Sequence, residues 1–209
     1  MTKDVTTSLT RRTVVGGVAG MLLVALGAAN AAGAFAPLTV ATMPPATQAT
    51  VANAVATAEA VHAAEVAAAE AARAAEEARA AQLASLRQQV VDLAKAQVGD
   101  AYRMGASGPN VFDCSGLVMY VYQQVMGLSL PHNTHAQWSA IDDTWGVGER
   151  EPQPGDVVFF FNNGANHVGL YIGDGLMVNA ENPRNGVKIA SINEGYWANK
   201  VSGFGRIIH

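Results

Sequence analysis

The chain has 209 residues, enough for one globular domain with extensions. Half of them are hydrophobic, but much of that share is alanine in the first half of the chain, which buries little area per residue. The formal net charge of -4 excludes the basic surface that a nucleic-acid partner would require.

The N-terminus carries Arg11 and Arg12, then an apolar run from Val14 to about Leu26, then small residues ending in Ala34-Phe35-Ala36. A positive start, a short apolar core and A-x-A sites predict an export signal over residues 1–36. The paired arginines fit a twin-arginine signal, and an ordinary secretory signal fits them as well. The protein is thus expected outside the cytoplasm, secreted or in the cell wall.

Residues 37–46 hold three prolines and are expected to form an extended linker. From Thr47 to Gln97 there is neither proline nor glycine, and alanine dominates, so the helix propensity is high throughout. Glu70 with Arg73 and Glu76 with Arg79 stand at i,i+3 and can pair on one face. Only Leu83, Leu86, Val90 and Leu93 follow the spacing of a packing seam. Residues 47–85 are therefore expected to be a helical arm whose last turns dock on the following domain. The arm fits a spacer, a coiled coil that binds a regulatory protein, or a lid over the active site.

From Leu86 to His209 the composition shifts to glycine, aromatics and alternating apolar residues. Helices are expected over Leu86–Gln97 and from Cys114 to about Met126. Strands are expected over Asp156–Phe161, His167–Ile172, Leu176–Ala180, Val187–Ile192 and Gly203–Ile208. Gly173-Asp174-Gly175 predicts a tight hairpin turn. Helices followed by antiparallel strands make an α+β domain.

Cys114 is the only cysteine, so no intrachain disulfide is available. A lone cysteine is either a buried structural residue or a reactive thiol. Its context favours the second. Asp113 suits an N-cap, and Cys114 then opens the helix. Free N–H groups and a partial positive charge at a helix start favour thiolate and can hold an oxyanion. Gly116 leaves room for a close backbone approach.

A thiol nucleophile needs a base. His62 in the arm and His209 at the end of the chain are poorly placed. His132 and His135 have a metal-like H-x-x-H spacing, but two ligands do not make a metal site, and none is expected. His167 opens a strand, a rigid place from which to aim an imidazole. Asn179, twelve residues on, is expected to lie opposite it on the next strand and to orient it, with Glu181 as its competitor.

Together these segments resemble the NlpC/P60 peptidases over about Leu86–His209. The resemblance is carried by Ala101–Gly105, Phe112-Asp113-Cys114-Ser115-Gly116-Leu117, Leu130-Pro131, Gln137, Gln153–Phe160 and His167–Gly173. It implies a circularly permuted papain-like fold and hydrolysis of the bond between D-γ-glutamyl and a diamino acid in peptidoglycan stems. It matches Cys114 to the nucleophile, His167 to the base and Asn179 to a third position that is often His. An amide accepts the imidazole N–H but brings no full charge to an imidazolium. The resemblance also assigns Tyr102, Asp113 and Ser115 to substrate contact, and places His132 where members often carry Arg. No metal or cofactor is implied.

Two further readings remain. An amidase or acyltransferase could use the same Cys-His pair. A latent or non-catalytic wall-associated protein could use the arm to bind a regulator.

Overall fold

A computed structural model describes residues 41, 43–162 and 166–209. The export signal and most of the linker lie outside the described residues. Among the described residues, no helix is long and apolar enough to cross a membrane.

The alanine-rich stretch forms one helix, α1 (Pro45–Ala96). Proline suits its first position, where the missing N–H has no helical partner anyway. The separate helix expected over Leu86–Gln97 is the end of α1, because no residue between them breaks a helix. The chain divides into two units, one ending at Ala69 and one running from Glu70 to His209. In Pro45–Ala69 every side chain except Gln48 and Val51 is exposed. Neither expected i,i+3 pair closes: the ion pairs among the described residues all involve Arg87 or later positions. Exposed pairs on a helix gain only a few tenths of a kcal/mol, roughly 0.2–0.5, which does not hold two long side chains together.

In the second unit the last turns of α1 dock as the spacing predicts. Val90 and Ala94 are fully buried, Val91 nearly so, and Leu83, Leu86 and Leu93 pack against the same core. Six strands then form one antiparallel sheet: β3 (Asp143–Gly146), β4 (Val157–Phe160), β5 (His167–Gly173), β6 (Leu176–Asn182), β7 (Gly186–Ser191) and β8 (Val201–Arg206). Their spatial order is β3-β8-β4-β5-β6-β7.

Alternation along the strands splits the core in two. Val157 and Phe159 of β4 join Val168, Leu170, Val178 and the helices on one face. Val158 and Phe160 join Tyr171, Met177, Trp197 and Phe204 on the other. Successive side chains point to opposite faces, so a strand buried on both sides reads as a continuous apolar run. Each fully buried Leu or Phe contributes about 1.5–3 kcal/mol. Helix α2 (Cys114–Met126) lies on the first face and buries Leu117, Val118, Val121 and Tyr122.

The expected strands β4 to β8 are all present, with ends shifted by at most two residues. Gly173, Asp174 and Gly175 turn the β5–β6 hairpin at φ of 98°, 52° and 69°. Two short strands were not foreseen, β1 (Ala101–Tyr102) and β2 (Val111–Phe112), which pair in parallel and bring Tyr102 beside Phe112. Nor were α3 (Thr134–Ala140) and β3.

Asp156 precedes β4 rather than opening it and is completely buried. Arg206 grips it with two bonds of 3.1 and 2.7 Å, Arg87 of α1 adds one of 3.1 Å, and the Gln153 N–H another of 2.7 Å. Arg87 also donates to the Ile208 carbonyl, and the Tyr122 hydroxyl to the Gly155 carbonyl. A buried carboxylate is tolerated only when it is paired and bonded in this way.

Candidate active site

Asp113 caps α2 from an extended conformation, φ -99° and ψ 178°. Its carboxylate accepts the Gly116 N–H at 2.7 Å and the Ser115 hydroxyl at 3.1 Å, and its carbonyl accepts the Leu117 N–H at 2.9 Å. The N–H groups of Cys114 and Ser115 then face the Cys114 sulfur, joined by the Val168 N–H from β5. The close approach expected at Gly116 is present: a Cβ there would stand 2.1 Å from the Ala106 carbonyl oxygen.

Burial pushes the Cys114 thiol up to about 11, and the neighbouring Asp113 charge adds to the rise. The three N–H groups pull the other way and lose. Removing water from the sulfur thus opposes the thiolate expected at the helix start.

His167 is buried at the start of β5, with Nε2 2.9 Å from Oδ1 of Asn179. An amide oxygen accepts, so Nε2 carries the hydrogen and Nδ1 keeps the lone pair. Asn179 is fully buried, and its Nδ2 lies 3.5 Å from the Lys188 carbonyl across β7, which orients the amide.

The pairing differs from the one expected. Leu170 faces Val178 and Tyr171 faces Met177, with a register shift between Tyr171 and Gly173. By that count Glu181 stands across from His167, and Asn179 across from Gly169. Asn179 reaches the imidazole diagonally over Gly169, where a Cβ would lie 3.2 Å from that of Asn179 and 2.8 Å from Met177 Sδ. The same-face diagonal is within reach of polar side chains.

Burial drives the His167 imidazole down to about 4, against the raising effects of the Asn179 bond and the Glu181 charge. Burial thus favours the uncharged form of both groups. They share a cleft of about 360 Å³ with Tyr102, Asp113, Ser115 and His132. Asn179 stands behind His167 rather than in the cleft wall.

His132 and His135 part ways. His132 places Nε2 2.9 and 3.0 Å from the two Asp113 oxygens, while His135 is exposed on α3. Gln137 holds the His132 loop by donating to the carbonyls of Ser115 and Pro131, both at 2.9 Å. Burial alone would raise the Asp113 carboxyl, but the N–H groups of Gly116 and Gly105 and the bond and charge of His132 hold it below the usual range.

A model of the NlpC/P60 family matches residues 99–206, more than half of the chain. The chain belongs to the NlpC/P60 family. It is 43% identical over 119 residues to the probable endopeptidase p60 of Listeria seeligeri, covering 56% of this chain and 22% of that protein. It is 39% identical over 121 residues to the gamma-DL-glutamyl hydrolase of Bacillus subtilis, covering 56% and 28%. The chain thus spans less than a third of either relative. The solved NlpC/P60 domain of the peptidoglycan hydrolase SagA is 30% identical, with a TM-score of 0.52, over 58% of this chain and 98% of that one. The peptidoglycan hydrolase RipB of Mycobacterium tuberculosis is 26% identical, with a TM-score of 0.52, over 62% and 68%.

Within this NlpC/P60 domain one neighbour of the site was not singled out from sequence. Trp197, in a 3-10 turn (Gly195–Trp197), stacks on the His167 ring at 4.4 Å and 20° between planes. Phe160 supports both rings, 4.7 Å from Trp197 and 5.8 Å from His167. The available signal was a pair of aromatics, Tyr196-Trp197, between two strands.

Proposed function

We propose that the domain is a thiol endopeptidase that hydrolyses the D-γ-glutamyl to diamino acid bond of peptidoglycan stems, in a protein exported to the cell wall. The observation that carries this reading is Cys114 at a helix start sharing a cleft with an imidazole whose far nitrogen is held by Asn179. The relatives named for endopeptidase and gamma-DL-glutamyl hydrolase activity support the choice of bond.

His167 Nδ1 takes the thiol proton as the sulfur attacks the γ-carbonyl carbon. The oxyanion so formed lies within reach of the N–H groups at the start of α2. The tetrahedral species collapses, the C–N bond breaks, and the imidazolium gives its proton to the leaving amine. Water, deprotonated by the same Nδ1, then attacks the thioester and releases the glutamyl acid and the thiol. Asn179 keeps the ring aligned through both proton transfers. Tyr102, Asp113 and Ser115 shape the side of the cleft that holds the glutamyl half, with Asp113 chiefly organising its neighbours.

The test is incubation of the protein with muropeptides beside Cys114→Ala, with fragments followed by mass spectrometry. Cleavage after D-glutamate in the parent alone is expected. Release of intact stems from sugar would make the protein an amidase, and identical inactivity of both proteins would move the reading to a non-catalytic wall protein.

A further inference from the structure

The catalytic cleft does not stop at His167. On the far side of the imidazole lies a cavity of about 550 Å³, lined by Phe161, Asn166, Glu181, Asn182, Tyr196 and Trp197. Asn166, His167 and Glu181 border both spaces, so the two are continuous across the imidazole. One wall is aromatic. Trp197 is buried, while Tyr196 stands edge-on to it at 4.9 Å and is 64% exposed, with the Lys200 ammonium 3.3 Å from its ring centre. Another wall carries the Glu181 carboxylate, held by Asn182 at 3.1 Å, Asn185 at 2.6 Å and Lys188 at 3.3 Å. Glu181 is thus fixed in place and retains lone pairs for another donor.

We propose that this cavity seats the leaving half of the substrate and selects a residue with a free side-chain ammonium. The proposal rests on the thiol-endopeptidase reading. The imidazolium must protonate the departing nitrogen, so that nitrogen and the residue it belongs to lie on the His167 side of the scissile carbonyl. A diamino acid offers two features there. Its aliphatic chain covers the Tyr196–Trp197 shelf, and its second nitrogen, charged at neutral pH, donates to Glu181. Acylation of that nitrogen, as in a cross-linked stem, removes the charge and adds bulk. Stems with a free second amine are therefore the better substrates.

Two peptides test this, γ-D-glutamyl-L-lysine amide and its Nε-acetyl derivative, compared by kcat/KM. The parent protein is expected to favour the free amine about tenfold, the scale of one charge-assisted hydrogen bond. Glu181→Gln brings that ratio close to one. Tyr196→Ala raises KM for both peptides and leaves the ratio. A parent protein indifferent to acetylation, or a ratio that survives Glu181→Gln, overturns the proposal. Binding separates the two readings. In Cys114→Ala, lysine amide is titrated by calorimetry against Nε-acetyl-lysine amide. Preferential binding of lysine amide that is lost with Glu181→Gln, together with a parent protein that cleaves neither peptide, keeps the cavity and removes the endopeptidase. Cleavage without that preference keeps the endopeptidase and removes the cavity.

Discussion

Cys114 is expected to rest as a thiol, with no standing charge beside it. The buried sulfur ionises at about 11, and the buried imidazole gains a proton only near 4, so neither group is charged across the neutral range. At pH 8 a thiol near 11 is about 0.1% thiolate, whereas an ordinary one near 8.5 is about a quarter ionised. Alkylation by iodoacetamide should therefore run roughly 200-fold slower than for a free thiol at pH 8 and rise about tenfold per pH unit from 7 to 10. The measurement is clean because the chain has a single cysteine. His167→Ala should change the alkylation rate only a few-fold, since a neutral imidazole lends the sulfur no charge. A rate that levels off between about pH 5 and 8, with a plateau that vanishes in His167→Ala, would show a thiolate–imidazolium pair and refute the argument that burial outweighs the helix start.

Asn179→Ala removes the acceptor of the His167 Nε2–H, and kcat/KM should fall about 10- to 100-fold, the range for a bond to a charged imidazolium. Because that bond raises the His167 pKa, the acid limb of the rate profile should move to lower pH, and Asn179→Asp should move it back up. Gly116→Ala places a methyl group 2.1 Å from the Ala106 oxygen, and should cost about 1–3 kcal/mol in thermal unfolding along with most of the activity. Folding stability should also depend on acid. An unfolded histidine binds its proton near 6.5 and His167 in the fold only near 4, so stability is full above pH 6.5 and falls as pH drops through that window. The loss approaches about 3 kcal/mol by pH 4, and His167→Gln should lack it in urea titrations at pH 7 and 4.5.

The parts of the site that were legible are those set by neighbours in sequence. An Asp before a helical run gives the cap, and the cap gives Cys114 its position. The seam at Leu83, Leu86, Val90 and Leu93 was legible because an alanine background leaves few other anchors. Asn179 was named for the wrong geometric reason. Pairing depends on the register shift near Gly173, which moves every opposite pair and leaves no mark in composition. His132 on Asp113 and Trp197 on His167 join segments far apart in sequence; the aromatic pair Tyr196-Trp197 could be noticed locally, but its partner could not. The burial that opposes a thiolate was not legible, because a sequence shows the helix end but not how much water the fold removes from the sulfur. β3 and α3 were missed because four and seven residues are too few for a period to emerge.

The docked end of α1 also separates two boundaries that are easily taken as one. The stretch that matches the family begins at residue 99, yet Val90 and Ala94 are as deeply buried as any residue in the sheet, and Arg87 supplies a counter-charge to Asp156. A chain begun at residue 99 would keep the stretch that the family model matches but open a hole in the core and leave Arg206 as the one cation against Asp156 among the described residues. The stretch that the family model matches and the stretch that folds as a unit therefore start at different places, and the helical turns between them wall one side of the core.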